Sequence, residues 1–255
     1  MYDMPDEIDV QADGPLRIIT LNRPDALNAV NHALHVGLAR LWPQLSADRT
    51  ARVAVLTGAG TAFSAGGDFA YLAELAKDDE LRAQTIADGR EIVLGMARCR
   101  IPVISAVNGP AVGLGCSLTS LSDMVFIGEK AYLADPHVQV GLVAADGGPV
   151  TWPLHTSLLL AKEYALTGAR ISAERACEIG LANKVVSDPL VEALACAKRM
   201  LDQPQQAVEA TKRLLNLHLE RAVLATLDFA MSAEHQSFTT KDFQTNIARL
   251  TANKN

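Results

Sequence analysis

The chain has 255 residues, of which 49% are hydrophobic and 20% are charged, a composition typical of one large folded domain and unlike that of a disordered chain. Its 23 Lys and Arg against 29 Asp and Glu give a net charge of −6. Because phosphate contacts need clustered Lys and Arg, and no basic run appears, we expect no binding to nucleic acid.

Short β-rich runs alternate with helical patterns in the first part of the chain. In chain order the predicted elements are a strand at 17–22, a helix at 28–45, a strand at 53–57, a helix at 72–99, and strands at 103–107 and 124–127. The second and third strands are apolar almost throughout, which indicates burial on both faces as in a parallel sheet. An α/β core is therefore predicted.

Capping residues mark the later helices. Ser172 is predicted to begin a short helix that ends at Gly180, and residues 188–189 (Asp-Pro) begin another. Beyond them the chain reads almost wholly helical. The sequence therefore predicts a core over residues 1–190 and a helical segment over 191–255. The apolar stripes of that segment exceed what a small appendage can bury alone, so a partner subunit should cover some of them.

The N-terminal residues, the short apolar runs and the cysteines predict a cytoplasmic protein. Residues 1–10 are acidic and lack the apolar stretch of a signal peptide. The longest apolar runs, such as 158–161, fall far below the roughly 20 residues needed to span a bilayer, so no membrane binding is expected. The four cysteines lack metal-ligand spacing and are predicted to be reduced thiols: Cys99, Cys116, Cys177 and Cys196.

Several catalytic signatures are absent from the sequence. No dinucleotide fingerprint, phosphate-binding lysine loop or complete nucleophile elbow is present. His32 and His35 lie three residues apart on the predicted helix 28–45 without a third ligand. We therefore expect them to form a solvated face, and we predict no metal site.

Two glycine-rich turns, residues 62–68 and 108–117, each follow a predicted buried strand. Glycine allows the backbone to approach a ligand closely, and a turn that enters a helix presents free N–H groups at the positive end of the helix dipole. Two such turns side by side could stabilise one developing oxyanion, although each taken singly is more often only a tight turn.

Together with other segments, these turns resemble the crotonase (enoyl-CoA hydratase/isomerase) superfamily. The resemblance extends over nearly the whole chain, in the right order. Its segments are residues 21–30 (LNRPDALNAV), 63–68 (FSAGGD), 101–109 (IPVISAVNG), 111–115 (AVGLG), 166–173 (LTGARISA) and 176–185 (ACEIGLANKV).

The resemblance implies a fold and a type of chemistry. Members are similar in having repeated ββα units wound into a right-handed spiral, followed by a helical trimerisation segment, so a homotrimer or a dimer of trimers is expected. They bind acyl-CoA thioesters, with coenzyme A as part of the substrate and no separate cofactor. Carried over by position, the two backbone N–H groups that bind the thioester oxygen belong to Gly67 and Leu114.

The family also suggests which segments contact coenzyme A. The nucleotide lies near the segment after the first strand, and the backbone of the first glycine-rich turn lines the pantetheine end. A lysine near the C-terminus of a neighbouring subunit reaches the phosphates in some members. The corresponding residues here are Arg23, Asp25, Ala26, Leu27, Ala65, Gly66, Asp68 and Lys254.

This sequence departs from the family pattern at the acid/base positions. Where the hydratases carry two glutamates, it carries Ser117 and His137. Asp146 follows nine residues after His137, and we expect the chain between them to return the carboxylate to the imidazole. Either Asp146 orients His137 as a general base, or Asp146 is itself the base. Ser117 is expected to contact the substrate or a water molecule.

Three functions fit these residues. The first is an acyl-CoA enzyme of the hydratase/isomerase type, in which His137 and Asp146 replace the two glutamates. The second is a hydrolase of C–C bonds in β-diketones, since a His–Asp pair at this spacing resembles that branch of the family, although Leu114 occupies the neighbourhood of its further histidine. The third is an acyl-CoA-binding protein without catalysis.

Overall fold

The computed structural model describes residues 2–252, and its centre is a six-stranded sheet. The strands are β1 (Ile8–Asp13), β2 (Leu16–Leu21), β3 (Val53–Gly58), β4 (Val103–Val107), β5 (Ala111–Val112), β6 (Met124–Gly128), β7 (Tyr132–Ala134), β8 (Ile171–Ser172) and β9 (Lys184–Val186). The order in the large sheet is β1-β2-β3-β4-β6-β9, and a small sheet has the order β5-β7-β8. All neighbours in the large sheet are parallel except β1 and β2.

The predicted strands at 17–22, 53–57, 103–107 and 124–127 correspond to β2, β3, β4 and β6, with bounds that differ by at most one residue. Every residue of β3 and β4 is buried, as their continuous apolar character predicts. The antiparallel edge strand β1 was not predicted. Its residues are largely exposed, so they lack the apolar signal by which the inner strands are found.

Eleven α-helices are assigned within residues 2–252. They are α1 (His32–Ala47), α2 (Phe69–Leu75), α3 (Asp79–Arg98), α4 (Leu114–Leu121), α5 (His137–Val140), α6 (Gly148–His155), α7 (Leu158–Thr167), α8 (Ala173–Glu178), α9 (Pro189–Leu201), α10 (Gln205–Ser237) and α11 (Lys241–Ala252). Ser172 and Asp188 cap α8 and α9 as predicted. No helix among these residues is both long and apolar enough to cross a bilayer.

Two helix predictions need correction. The helix predicted at 28–45 begins later, at His32, because the Asn31 side chain caps the N–H of Leu34 and ends the preceding loop. The single helix predicted at 72–99 is two helices, α2 and α3. Asp78 accepts hydrogen bonds from the first turn of α3, which starts a new helix there.

The boundary between the core and the C-terminal helical segment differs from the predicted one. The boundary expected at residue 190 falls inside α9, whose buried Ala193, Cys196 and Ala197 pack with apolar residues of β3, β4 and β6. That helix therefore belongs to the core of the sheet. The long helix α10 packs along α3 and carries Val223, Leu227 and Met231 into the main core.

The parallel strands place the loops that carry the sequence motifs at one edge of the sheet. Segments 22–31, 59–68 and 108–113 follow β2, β3 and β4 directly. Because the carboxyl ends of neighbouring parallel strands meet at the same edge, these three segments lie side by side, which is where open α/β sheets bind ligands.

Candidate active site

The two glycine-rich turns are packed directly against each other. Ser64 forms a parallel bridge with Ala111, and the Val112 N–H donates to the Ser64 carbonyl at 2.9 Å. Gly66 and Gly113 have φ values of 88° and 53°, a region that side chains with a Cβ rarely adopt. A Cβ at Gly66 would lie 3.1 Å from the Val112 carbonyl oxygen. Glycine at this position therefore allows the close approach of the turns.

Gly67 and Leu114 follow these two glycines. The backbone N–H of each has no acceptor among residues 2–252. The bridge between Val30 and Gly67 uses the carbonyl of Gly66 and the N–H of Asp68, so the Gly67 N–H points away from Val30. Leu114 is the first residue of α4, and a first-turn N–H has no partner within its own helix. Both residues line one cavity.

That cavity has a volume of about 310 Å³, at the lower end of the range of small-molecule sites. Apolar side chains dominate its lining. Of the residues predicted from sequence to be catalytic, all four contribute to it: Gly67, Leu114, His137 and Asp146. Ala65 and Gly66 line it as well. The structure therefore brings the predicted oxyanion donors and the predicted acid/base side chains to one space.

The partner that orients His137 is Asp135, which the sequence analysis did not identify. His137 Nδ1 hydrogen-bonds to Asp135 Oδ1, and Asp135 is 2% exposed. The other oxygen, Asp135 Oδ2, is buried without a hydrogen-bond partner within the described residues. Of the two roles considered for Asp146, orienting His137 is wrong because Asp135 already holds Nδ1.

Asp146 faces the other nitrogen of the same imidazole. Its Oδ1 lies 4.0 Å from His137 Nε2, beyond hydrogen-bond distance but close enough for strong charge interaction. The Ser117 hydroxyl lies 3.0 Å from Asp146 Oδ1, so Ser117 contacts the carboxylate. A Cβ at Gly147 would lie only 1.8 Å from Ser117 Oγ, and glycine there lets the loop bring Asp146 against α4.

The charges of this cluster shift its titration strongly. Burial by itself would lower the pKa of His137, but Asp135 and Asp146 raise it to about 10, so the imidazole is positively charged near neutral pH. Burial raises the pKa of Asp146, and the positive charge of His137 opposes that shift. A charged imidazole is an acid, whereas a carboxylate with a raised pKa is an effective base.

A third carboxyl group reaches the cavity from the C-terminal region. Glu234 of α10 lines it, and burial together with the charge of Asp146 raises the pKa of Glu234 to about 8. This side chain is therefore largely protonated at neutral pH and can donate a hydrogen bond. The sequence carries one signal for it, since Glu234 continues the apolar stripe of Leu227, Ala230 and Phe238.

The segment predicted to contact coenzyme A lies beside the first glycine-rich turn. It contains a short 3-10 helix, Pro24–Ala26, and ends at Leu27, which is 48% exposed. The Ala65 N–H donates to the Leu27 carbonyl at 2.9 Å. Arg23 pairs with Asp68 at 3.3 Å and also donates to the Ala29 carbonyl, so its side chain is held across this segment. Lys254 lies outside the described residues.

The prediction that His32 and His35 form a solvated face is wrong for His35. His32 is exposed, but His35 is buried and lines the cavity, because the face of α1 that carries Leu34 and Leu38 also carries His35 toward α3. Within residues 2–252, no three His, Cys, Asp or Glu side chains come together in a way that could hold a metal ion.

The chain is similar to known proteins in both sequence and structure. A family model described as "Enoyl-CoA hydratase/isomerase" matches residues 12–252. The structure superimposes with a TM-score of 0.97 on an enoyl-CoA hydratase/isomerase from Mycobacterium paratuberculosis, at 75% identity over 97% of this chain and 100% of that one. The 2,3-dehydroadipyl-CoA hydratase of Escherichia coli is 35% identical over 87% of this chain and 85% of its own length.

A β-diketone hydrolase from Anabaena, in a structure with bound (S)-3-oxocyclohexyl acetic acid, superimposes with a TM-score of 0.85. It is 25% identical over 92% of this chain and 94% of that one. The family match over residues 12–252 settles the classification of the chain. This protein belongs to the enoyl-CoA hydratase/isomerase family.

Proposed function

We propose that this protein is an acyl-CoA enzyme that forms a thioester enolate, with the thioester oxygen bound between the amides of Gly67 and Leu114. The observation that carries the proposal is the convergence on one cavity of two unpartnered N–H groups, a carboxylate and a charged imidazole. Preorganised donors aimed at a developing oxyanion are among the largest contributions to catalysis.

In the proposed reaction Asp146 is the base. Its carboxylate takes a proton from the carbon next to the thioester, and the electron pair of that C–H bond moves onto the thioester oxygen, where the two amides stabilise the negative charge. His137, held by Asp135, is the positively charged group that faces Asp146 and can return a proton. The chemistry needs no cofactor beyond the coenzyme A of the substrate.

Ordinary hydration of crotonyl-CoA should be weak. Ser117 and His137 stand where the family pattern has two glutamates, and a hydroxyl with an unperturbed pKa does not replace a carboxylate as a base near neutral pH. A screen of acyl-CoA thioesters by mass spectrometry separates the outcomes. Water addition raises the mass of the thioester by one water, whereas isomerisation moves the double bond without a change in mass.

A second candidate function is hydrolysis of a C–C bond in a β-diketone. The similarity to the Anabaena hydrolase and the buried Asp135–His137 pair favour it. Against it stands Leu114, where that branch of the family has a further histidine. Hydrolysis of a cyclic 1,3-diketone that carries no coenzyme A, with no turnover of acyl-CoA, would favour this candidate. Tight acyl-CoA binding without turnover of either compound would favour a non-catalytic binding protein.

Replacing Leu114 with proline tests the proposed oxyanion site. Proline removes the N–H, yet the first position of a helix tolerates proline well. We expect the exchange of the α-protons of butyryl-CoA in D2O to slow by about 10²–10³-fold. Leu114→Met keeps the N–H and the volume, so it should exchange at nearly the wild-type rate. Equal rates in the two folded variants would contradict the assignment of this amide.

We also propose that the protein is a homotrimer or a dimer of trimers. Large apolar side chains are exposed on α7 and α10, among them Leu159 at 80% and Phe229 at 79%. Large apolar side chains exposed in this number on two helices favour association with another subunit. Light scattering should give a mass of three or six times the 27.2 kDa of one chain. A stable monomer at micromolar concentration would contradict the proposal.

A further inference from the structure

The cavity has a second polar region, distant in sequence from the glycine-rich turns. His35 of α1, Tyr71 of α2 and Thr85 of α3 all line it, and each is less than 9% exposed. Leu72 lies beside Gly67, since a Cβ on that glycine would be 3.0 Å from the Leu72 side chain. The polar residues on these three helices are not used by the proposed proton transfer.

The hydroxyl groups of Tyr71 and Thr85 have a defined direction of hydrogen bonding. Thr85 Oγ1 donates its single proton to the Leu81 carbonyl at 2.8 Å. Tyr71 OH lies 2.6 Å from Thr85 Oγ1, so Tyr71 is the donor of that bond. Burial raises the pKa of Tyr71, which keeps the phenol neutral. Tyr71 OH also lies 3.4 Å from His32 Nδ1, and both Tyr71 and Thr85 line the cavity.

His35 is the unsatisfied member of this group. Neither ring nitrogen has a hydrogen-bond partner among residues 2–252, and Nδ1 is fully enclosed by protein. Burial, with a smaller contribution from His32, lowers the pKa of His35 to about 4, so the ring is neutral near neutral pH. A neutral imidazole carries one donor and one acceptor. The enclosed Nδ1 is out of reach of a ligand, whereas Nε2 is not enclosed and His35 lines the cavity, so Nε2 is the nitrogen that can find a hydrogen-bond partner on a ligand.

The charge around this region selects the kind of ligand group. His35, Tyr71 and Thr85 are uncharged and offer a carboxylate no opposite charge, and the negative charges of Asp88 and Glu74 also act on Tyr71. A hydroxyl or ketone oxygen carries no charge and can use both the donor and the acceptors that the three side chains offer.

We infer that the acyl group of the substrate carries a neutral oxygen substituent, a hydroxyl or a ketone, at a position remote from the thioester, and that His35 hydrogen-bonds to it beside Tyr71 and Thr85. This inference rests on the proposed function, because it requires the thioester to lie at Gly67 and Leu114. His35 then acts as a specificity-determining residue. The cavity volume of about 310 Å³ restricts such an acyl group to a small size.

Isothermal titration calorimetry with matched ligands tests the inference. Saturated acyl-CoA thioesters are compared with counterparts that carry a hydroxyl or a ketone near the end of the acyl chain. The acyl chains have roughly four to eight carbons, a size that suits a small pocket. For at least one chain length we expect the oxygenated thioester to bind about tenfold more tightly. His35→Leu should remove that preference, and Tyr71→Phe should reduce it.

His218→Leu is the matched control, because His218 of α10 is exposed and does not line this cavity. It should keep the preference of the wild type. The melting temperature of unliganded His35→Leu should equal or exceed that of the wild type, since the variant loses an unsatisfied buried nitrogen.

Three results would overturn the inference. Equal affinities for plain and oxygenated thioesters at every chain length would overturn the inference but leave the proposed function intact. A preference for the oxygenated thioester that survives both His35→Leu and Tyr71→Phe would also overturn the inference. Failure of every thioester to bind would overturn the proposed function, and the inference with it.

Discussion

Asp146→Asn should slow the exchange of the α-protons of butyryl-CoA in D2O by about 10²–10⁴-fold, the range expected when a general base is removed. Asparagine has nearly the same shape and can still accept the hydrogen bond from Ser117, which lies 3.0 Å from Asp146 Oδ1. The loss would therefore report the missing base and not a displaced loop. Nuclear magnetic resonance of the exchanging thioester measures the rate directly, whatever the natural acyl group is.

Ser117→Ala is the control for that measurement. It leaves both acid/base groups in place but removes a hydrogen bond that lowers the pKa of Asp146. The maximal exchange rate should change little. The acid limb of the pH profile should move to higher pH, because the carboxylate becomes ionised only at a higher pH in the variant. If Asp146→Asn exchanged the α-protons at the wild-type rate, Asp146 would not be the base, and another group in the cavity would have that role.

Asp135→Asn should lower the same rate at pH 8 by about tenfold or more, because His137 loses the carboxylate that keeps it protonated. Asp135 is the strongest of the charges that raise the pKa of His137 to about 10. With an amide in its place, that pKa should fall toward 6.5, the ordinary histidine value. The activity needs protonated His137, so it is present below this pKa and lost as the pH rises through it.

The alkaline limb should therefore lie near pH 10 in the wild-type enzyme and move several units lower in Asp135→Asn. The double variant with His137→Gln should be no slower than the slower single variant, since both changes disable one unit. Additive losses in the double variant would show that Asp135 acts independently of His137. An unmoved alkaline limb would show that His137 does not control it.

The parts of the site that are local in sequence could be predicted, because the physical signal is local. Strands β3 and β4 are apolar throughout, and the glycine-rich turns follow them at once, so the two turns could be recognised from the sequence. The choice of the Gly67 and Leu114 amides within them came from the resemblance to the family. Capping residues such as Ser172 and Asp188 act within their own turns, and the helices that they begin were found for that reason.

The acid/base set depended on contacts that sequence spacing does not fix. Orienting His137 was one of two predicted roles of Asp146, but the chain between them forms α5 and turns at Gly141, with φ at 88°. That path presents Asp146 to Nε2 and leaves Nδ1 to Asp135, two residues before His137. Glu234 is 97 residues beyond His137 and reaches the cavity only because α10 docks along α3. The apolar stripe of α10 indicates that this face is buried, but it does not specify that the helix docks along α3.

The contact between Gly147 and Ser117 limits how this active site can change by mutation. A single methyl-sized atom on Gly147 would overlap the Ser117 hydroxyl, so the loop that carries Asp146 fits only against a very small side chain on α4. A glutamate introduced at position 117 alone would have to displace that loop, and Asp146 with it. The two acid/base arrangements are therefore mutually exclusive on this backbone. A lineage that passes from one to the other must change position 117 and the loop at 146–148 together, and we expect these positions to covary among relatives.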